Sequence, residues 1–329
     1  MLENTKSEYL KIYRDLVSIR LTEEVIADHY PKGEMRTPTH LGIGQEAVAL
    51  GVLDLKINGD TVFSHHRSHN HYLASGGDRR KLFAELLGRK TGCSGGKGGS
   101  VHLVARDKGF YGSSAILGQS IALATGSAFA MKMKMQNNVS IAFFGDAALE
   151  EGTLWESLNF ASLNKVPVLF VCENNLYSTE SGLQKRISVD SDFASRAKAF
   201  GAKYVRGNGN NYFSVKSAAK SAINSMRENP GPYFLEFETY RWREHVGPFF
   251  DHDLNRDYRT LEEFQLWASL CPIDHMSRLI QSKFPDSKME LDQIYESQKT
   301  LILEELEMAR LEPWPEMNDL YSNVYWEGK

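Results

Sequence analysis

Nothing in the sequence supplies a disulfide framework or a zinc clip. Its three cysteines, Cys93, Cys172 and Cys271, lie far apart and make no Cys-x-x-Cys pair, so inert thiols in a reducing compartment are expected. No run of about 18 uncharged apolar residues occurs, and the opening MLENTKSEYLKIYRDL has no apolar stretch behind its charges. The expectation is therefore a cytoplasmic protein without a membrane span or secretion signal. Charge of one sign is also scarce: the formal net charge is −4 over 329 residues, with no basic stripe or acidic tail. Electrostatic docking on nucleic acid or a membrane surface is not indicated, while a small anionic substrate remains open. Internal repeats, low-complexity segments and long linkers are absent as well. What is present is a 42% hydrophobic composition with aromatics from end to end, enough for an enzyme-sized core. Residues 1–329 read as one compact domain with helical extensions at both ends.

Apolar side chains at Leu10, Ile12, Tyr13, Leu16, Val17, Ile19 and Leu21 have helical spacing, which predicts an amphipathic helix over 7–30 that stops before Pro31 and Gly33. A second helical stretch runs from 45 to 55, and the first hundred residues read as helix and loop. The middle changes character. VSIAFFGD at 139–146 and VPVLFVCEN at 166–174 are continuous apolar runs separated by the helical LEEGTLWESLNFASLN, the signature of parallel strands buried on both faces. A helix near 190–200, a strand near Tyr204, a helix over 212–228 and a strand over 233–242 continue the alternation. The fold class that follows is α/β, a mostly parallel sheet flanked by helices, with amphipathic helix again beyond Pro272 and a loop at EPWPEM.

In such a sheet, ligands bind beyond the carboxyl ends of the strands. Asp146 and Asn175 stand at the ends of neighbouring predicted strands, so a carboxylate and an amide oxygen face one point. Hard oxygen donors of this kind suit magnesium shared with the phosphates of a ligand. Asp146 capping the next helix and Asn174–Asn175 forming a turn is the alternative that the residues alone leave open.

GDAALEEG at 145–152 followed by CENNLY at 172–177 resembles the thiamine-diphosphate motif, which opens Gly-Asp-Gly and closes Asn-Asn. HLGIGQEA at 40–47, SHHRSHNH at 64–71, SGGKGGSVHL at 94–103, SSAILGQ at 113–119, ETYRWREH at 238–245, YRT at 258–260 and the closing Pro-x-Pro loop with NVY extend the resemblance along essentially the whole chain. The family is that of the alpha subunits of 2-oxo acid and acetoin dehydrogenases, and the resemblance implies its thiamine-diphosphate-binding fold. Carried over, it implies that Asp146, the side chain of Asn175 and the main-chain carbonyl of Tyr177 hold Mg2+. Gly145, Ala147 and Ala148 would follow the diphosphate with their backbone, Ala147 adding a methyl where the family usually has glycine. Arg67 and Arg241 would pair the diphosphate, their planar forks matching phosphate oxygens, with His66 in the place of a usual tyrosine. Ala115 and Leu117 match the segment under the cofactor, where Leu117 would bend it into a V that makes proton abstraction intramolecular.

Four histidines, His65, His66, His69 and His71, crowd into seven residues. They have neither a cysteine pair nor a Glu-bearing helix motif beside them, so proton handling by His69 is expected rather than zinc. His245 matches a loop histidine beside the substrate. The family's carboxylate for the pyrimidine ring lies on a separate beta-type subunit, so the resemblance implies an alpha2beta2 heterotetramer, inactive without its partner, with a lipoyl-bearing acyltransferase as a further partner. Val246 stands where relatives have a regulated serine, which argues against that kinase control. Pro248, Phe249 and Phe250 suggest a substrate pocket unlike that of ordinary pyruvate dehydrogenase, pointing to acetoin, a branched 2-oxo acid or a less usual acyl donor. Two rivals are weaker. TGCSGGKGGS lacks Walker spacing and GNGNNY lacks the last glycine of the dinucleotide fingerprint, and a noncatalytic scaffold rests on Ala147 alone.

Overall fold

The computed structural model describes residues 5–188, 190–254, 256–322 and 324; Asn323 and Tyr325 of the closing NVY lie outside them. Thr5 opens the first helix with a capping box, its hydroxyl accepting from the Glu8 N–H while the Glu8 carboxylate accepts from the Thr5 N–H. Helix α1 (Lys6–His29) is followed by α2 (Glu46–Leu53), strand β1 (Thr61–Ser64), α3 (His69–Ala74), α4 (Arg79–Leu86), β2 (Phe110–Ser113), α5 (Gln119–Met133) and β3 (Ser140–Gly145). Then come α6 (Gly152–Leu163), β4 (Val168–Asn174), the hairpin strands β5 (Tyr177–Ser178) and β6 (Ser181–Gly182), α7 (Phe193–Ala199), β7 (Lys203–Asn208), α8 (Tyr212–Glu228) and β8 (Tyr233–Glu238). Helices α9 (Leu261–Ser269), α10 (Pro272–Lys283) and α11 (Lys288–Arg310) complete the chain.

The main sheet is parallel throughout, in the order β2-β1-β3-β4-β8-β7. Alternation along its central strands divides the core in two. Ile141, Phe143, Leu169 and Val171 join the cluster built with α1, α2, α8 and α11, while Ala142, Phe144, Phe170 and Cys172 join the cluster built with α5, α6 and α7. Both faces of β4 are thus dry, which is why its sequence is a continuous apolar run. No helix among the described residues is long and apolar enough to cross a membrane.

Three expectations need correcting. The first hundred residues are not only helix and loop: the four residues of β1 enter the sheet fully buried, and β2 beside it was not anticipated either. Strands this short carry too little periodicity to be seen. The strand expected over 233–242 ends at Glu238, because its neighbours end at Asn174 and Asn208; Thr239 still donates to Asn174, but Trp242 N–H turns to the Ile43 carbonyl. The helix expected from Leu149 begins at Gly152, since Asp146–Glu150 form a 3-10 turn and Glu151 is extended.

From β1 the chain moves outward to β2, returns past β1 to β3 and proceeds to β4. The direction of winding therefore reverses between β1 and β3. In a doubly wound sheet this is where a crevice opens beyond the strand ends.

Candidate active site

A cavity of about 250 Å3 occupies that crevice. His65, His66 and Arg67 reach it from the end of β1, Ala115 and Leu117 from beyond β2, and Gly145, Asp146, Ala147 and Ala148 from the end of β3. Glu173 and Asn175 come from β4, Tyr177, Ser178 and Thr179 from the hairpin after it, His40 from the loop before α2 and His245 from beyond β8. Eleven of the thirteen residues singled out from the sequence thus meet at one point; His69 and Arg241 do not line it.

Register explains the meeting of Asp146 and Asn175. Gly145 pairs with Glu173 across β3 and β4, which sets Asp146 level with Asn174, and the turn that follows brings Asn175 to the same edge. Asp146 is buried, and burial raises its carboxyl pKa against the pull of Arg186. The Arg186 guanidinium, from beyond the β5–β6 hairpin, pairs with both Asp146 and Glu150. No sequence motif pointed to Arg186.

After β4 the chain turns sharply. Leu176 and Thr179 adopt left-handed backbone conformations, with φ of 73° and 50°, at a cost on the order of 1–3 kcal/mol each. The Asn174 side chain stabilises this turn by accepting from Leu176 N–H at 3.2 Å, and the Leu176 carbonyl accepts from Leu183 at 2.7 Å. Asn175 Oδ1 accepts from Tyr177 N–H at 3.3 Å, while its Nδ2 donates to Gln45 at 3.1 Å. The Asn-Asn pair makes the turn that one reading of the sequence expected, and in doing so presents Asn175 and Tyr177 to the cavity.

Two imidazole groups have different fates. In the first, His65 Nδ1 accepts from Arg67 N–H at 3.1 Å, so the proton sits on Nε2, which faces Glu173 at 3.1 Å. His71 Nε2 lies 3.2 Å from the other Glu173 oxygen, and its Nδ1 is 2.8 Å from the Ser64 hydroxyl. Burial alone would raise the Glu173 carboxyl, but His71 and His65 outweigh it and hold the group at about 2. In the second group, His40, His66 and His245 face one another with few partners. Burial, reinforced by the Arg67 charge, lowers His40 to about 2 and His245 to about 3, and drives His66 well below its usual value. All three rings are neutral at physiological pH. His40, His65 and Glu173 were not singled out as site residues; a lone carboxylate inside the apolar run of β4 was the available signal, since a buried charge requires partners.

Arg67 is buried and donates to the carbonyls of Leu41, at 2.5 Å, and His245, at 3.3 Å. Burial and the nearby Arg241 charge lower its pKa to about 9, leaving it cationic. Arg241 itself stands behind the wall, donating to Thr179 O at 2.8 Å, Tyr258 Oη at 2.9 Å and Arg243 O at 2.6 Å. In this arrangement Arg241 braces the lining residue Thr179 and does not itself line the cavity. Arg241→Ala is expected to cost roughly 3 kcal/mol of stability through the buried groups it strands. Arg243 is only half-buried, bonded to Pro248 O and stacked on Phe250, so Arg243→Ala should cost about 1 kcal/mol. Equal midpoints for the two variants in denaturant unfolding would contradict this bracing role.

His69 is fully buried and does not line the cavity, lying 2.9 Å from Ser100 Oγ and 3.2 Å from Glu23. Nor do Phe249 and Phe250 shape the cavity. Phe250 packs on Arg243, His252 and Phe264, because the loop folds back after His245 with Glu244 N–H donating to Phe249 O.

Residues 14–318 match the family described as "Dehydrogenase E1 component". The chain is 36% identical over 323 residues to the pyruvate dehydrogenase E1 component subunit alpha of Rhizobium meliloti (strain 1021), covering 98% of this chain and 91% of that one. Identity is 34% over 320 residues to the corresponding subunit of Rickettsia bellii, covering 97% and 96%. It is 35% over 332 residues to the chloroplastic subunit alpha-3 of Arabidopsis thaliana, covering 99% and 76%.

Proposed function

The chain belongs to the dehydrogenase E1 component family, as an alpha-type subunit of thiamine-diphosphate-dependent 2-oxo acid dehydrogenases, and from that membership we propose that its cavity holds the diphosphate end of the cofactor through Mg2+. The observation carrying this is the buried Asp146 carboxylate beside the Asn175 amide at the switch point of the sheet. A buried carboxylate needs a cation, and Arg186 now supplies one. Gly145 lines the cavity with no atom within 4 Å of where a Cβ would stand, and both ring nitrogens of His66 are buried without a hydrogen-bond partner. These features fit an anionic group carrying a hard metal.

Asp146, Asn175 Oδ1 and the Tyr177 carbonyl would hold the metal, and the Ala147 and Ala148 N–H groups with Arg67 would hold phosphate oxygens. When bound, thiamine diphosphate supplies the nucleophilic carbon and the electron sink for decarboxylating a 2-oxo acid. This chain's residues do the rest. Leu117 offers an apolar surface to bend the cofactor, and Arg67 keeps His245 in place through its carbonyl. His245 and His40, neutral at physiological pH, can each offer a ring N–H to the substrate oxygen as a hydrogen-bond donor. Since the loop aromatics lie off the cavity, they do not argue against pyruvate, which we take as the substrate. A lipoyl group on an acyltransferase is the proposed acceptor.

A beta-type subunit is the family's partner, and an alpha2beta2 assembly is the arrangement we propose. Pockets that enclose a ligand usually measure on the order of 300–1,000 Å3, so a cavity of about 250 Å3 encloses only part of this cofactor. Ile116, between the lining residues Ala115 and Leu117, is 66% exposed, an apolar side chain suited to a partner at the cavity mouth. Titrating thiamine diphosphate into the assembled subunits by calorimetry should show binding with Mg2+ and none after chelation; metal-independent binding would refute the assignment.

Because metal entry must displace Arg186 from Asp146, Arg186→Gln should tighten Mg2+-dependent cofactor binding by about tenfold, or about 1.4 kcal/mol. The same variant should lower the melting temperature of the cofactor-free protein. Weaker binding would mean that Arg186 contacts the ligand instead of competing with its metal.

A further inference from the structure

His40, His66 and His245 come from three separate parts of the chain, yet each offers a ring nitrogen within 4.8 Å of the others. Their ring centroids lie 4.4 Å apart for His40 and His66, 5.1 Å for His40 and His245, and 5.4 Å for His66 and His245. Both nitrogens of His66 and Nδ1 of His40 are buried without a hydrogen-bond partner. Orphaned buried nitrogens cost free energy unless something occupies them. We propose that these three histidines form a binding site for a borderline-soft divalent metal such as zinc, with a fourth coordination position open to the cavity.

Three imidazoles and an open position are a recurrent zinc ligand set, whereas Mg2+ prefers oxygen. The rings need not lose a proton to bind, because burial already keeps them neutral. A tetrahedral zinc site with Zn–N near 2.0 Å requires nitrogens about 3.3 Å apart, so rotation of the side chains must close the remaining distance. Arg67 sets the charge balance: its fixed cation disfavours a bare dication, so the fourth ligand is an anion such as hydroxide or a carboxylate. The other histidine cluster, His65 and His71 with Glu173, is excluded because its nitrogens are already committed to Arg67 N–H, Glu173 and Ser64. Sequence proximity had suggested His65, His66, His69 and His71 as the group to consider; the tertiary structure selects only His66 from it. A metal here occupies histidines that line the cavity, so it inhibits the assembled enzyme, but the site stands on the three rings and does not depend on the cofactor assignment.

The test titrates Co2+, a spectroscopic substitute for zinc, into the metal-free full-length chain. One Co2+ per chain is expected, with the intense visible bands of four-coordinate cobalt, displaced by Zn2+ and not by Mg2+. His66→Gln should weaken binding by at least about 100-fold, the upper range for losing an outer-shell partner. Asp146→Asn should leave Co2+ affinity unchanged, which separates this site from the oxygen site. Should His66→Gln not fold, His245→Gln, in the loop beyond β8, takes its place. Absence of Co2+ binding, a weak six-coordinate spectrum, or undiminished affinity in the folded histidine variant overturns the proposal.

Discussion

Asp146→Ala is expected to abolish Mg2+-dependent binding of thiamine diphosphate while leaving the sheet intact. The carboxylate emerges at the end of β3, in the cavity and outside the apolar layers that hold the strands together. Its replacement removes a metal ligand that neither Asn175 nor Tyr177 can replace with charge. The fold loses less, because Arg186 keeps Glu150 as a partner. A cost of about 1–3 kcal/mol, typical of an unsatisfied group, is the expected ceiling. Calorimetry with cofactor and Mg2+, beside thermal unfolding of the cofactor-free protein, measures the two effects separately. Cofactor affinity equal to the parent's would show that the metal is held elsewhere, and a collapse of the fold would show that Asp146 is structural.

The second large effect is all-or-none: the purified chain alone should release no carbon dioxide from pyruvate, and mixing with its beta-type partner should start the reaction, followed with an artificial electron acceptor. Activation of the cofactor's pyrimidine ring needs a free carboxyl group. Among the described residues only two carboxylates line the cavity, and neither is free. Asp146 is committed to Arg186 and, in our reading, to the metal. Glu173 has both oxygens on His65 and His71 and is held at about 2, far too acidic to carry a proton for a pyrimidine nitrogen. The missing group is therefore expected from the beta-type partner. Sustained decarboxylation by the rigorously partner-free protein would overturn that division of labour, as would failure of the mixture to react.

Much of the site was legible because its residues sit at strand ends, and strand ends are legible. The apolar runs of β3 and β4 fixed where Asp146 and Asn175 emerge, and motif resemblance added Arg67, Leu117 and His245. Motif position and cavity position part where one residue type admits two environments. Arg241 and His69 sit in matching motifs, yet one braces the wall from behind and the other is bonded to Ser100 in the interior. An arginine that touches a ligand and one that holds a carbonyl have the same local pattern. The aromatic pair Phe249–Phe250 misled for a similar reason, since a loop's direction after its last anchor is set by what it packs on.

The sequence by itself determined the parallel α/β architecture, the family and most of the cavity wall, because periodicity, strand ends and contiguous motifs are local properties of the chain. Tertiary structure decided which charges meet. Arg186 reaches Asp146 across 40 positions, His65 reaches Glu173 across 108, and Arg67 reaches the His245 carbonyl across 178. Likewise, the His40, His66 and His245 rings converge only because three separate segments are brought to one end of the sheet. Such contacts are fixed by strand order and register, and burial then makes them decisive: away from water, a charge or a ring nitrogen must find its partner within the fold or in a ligand.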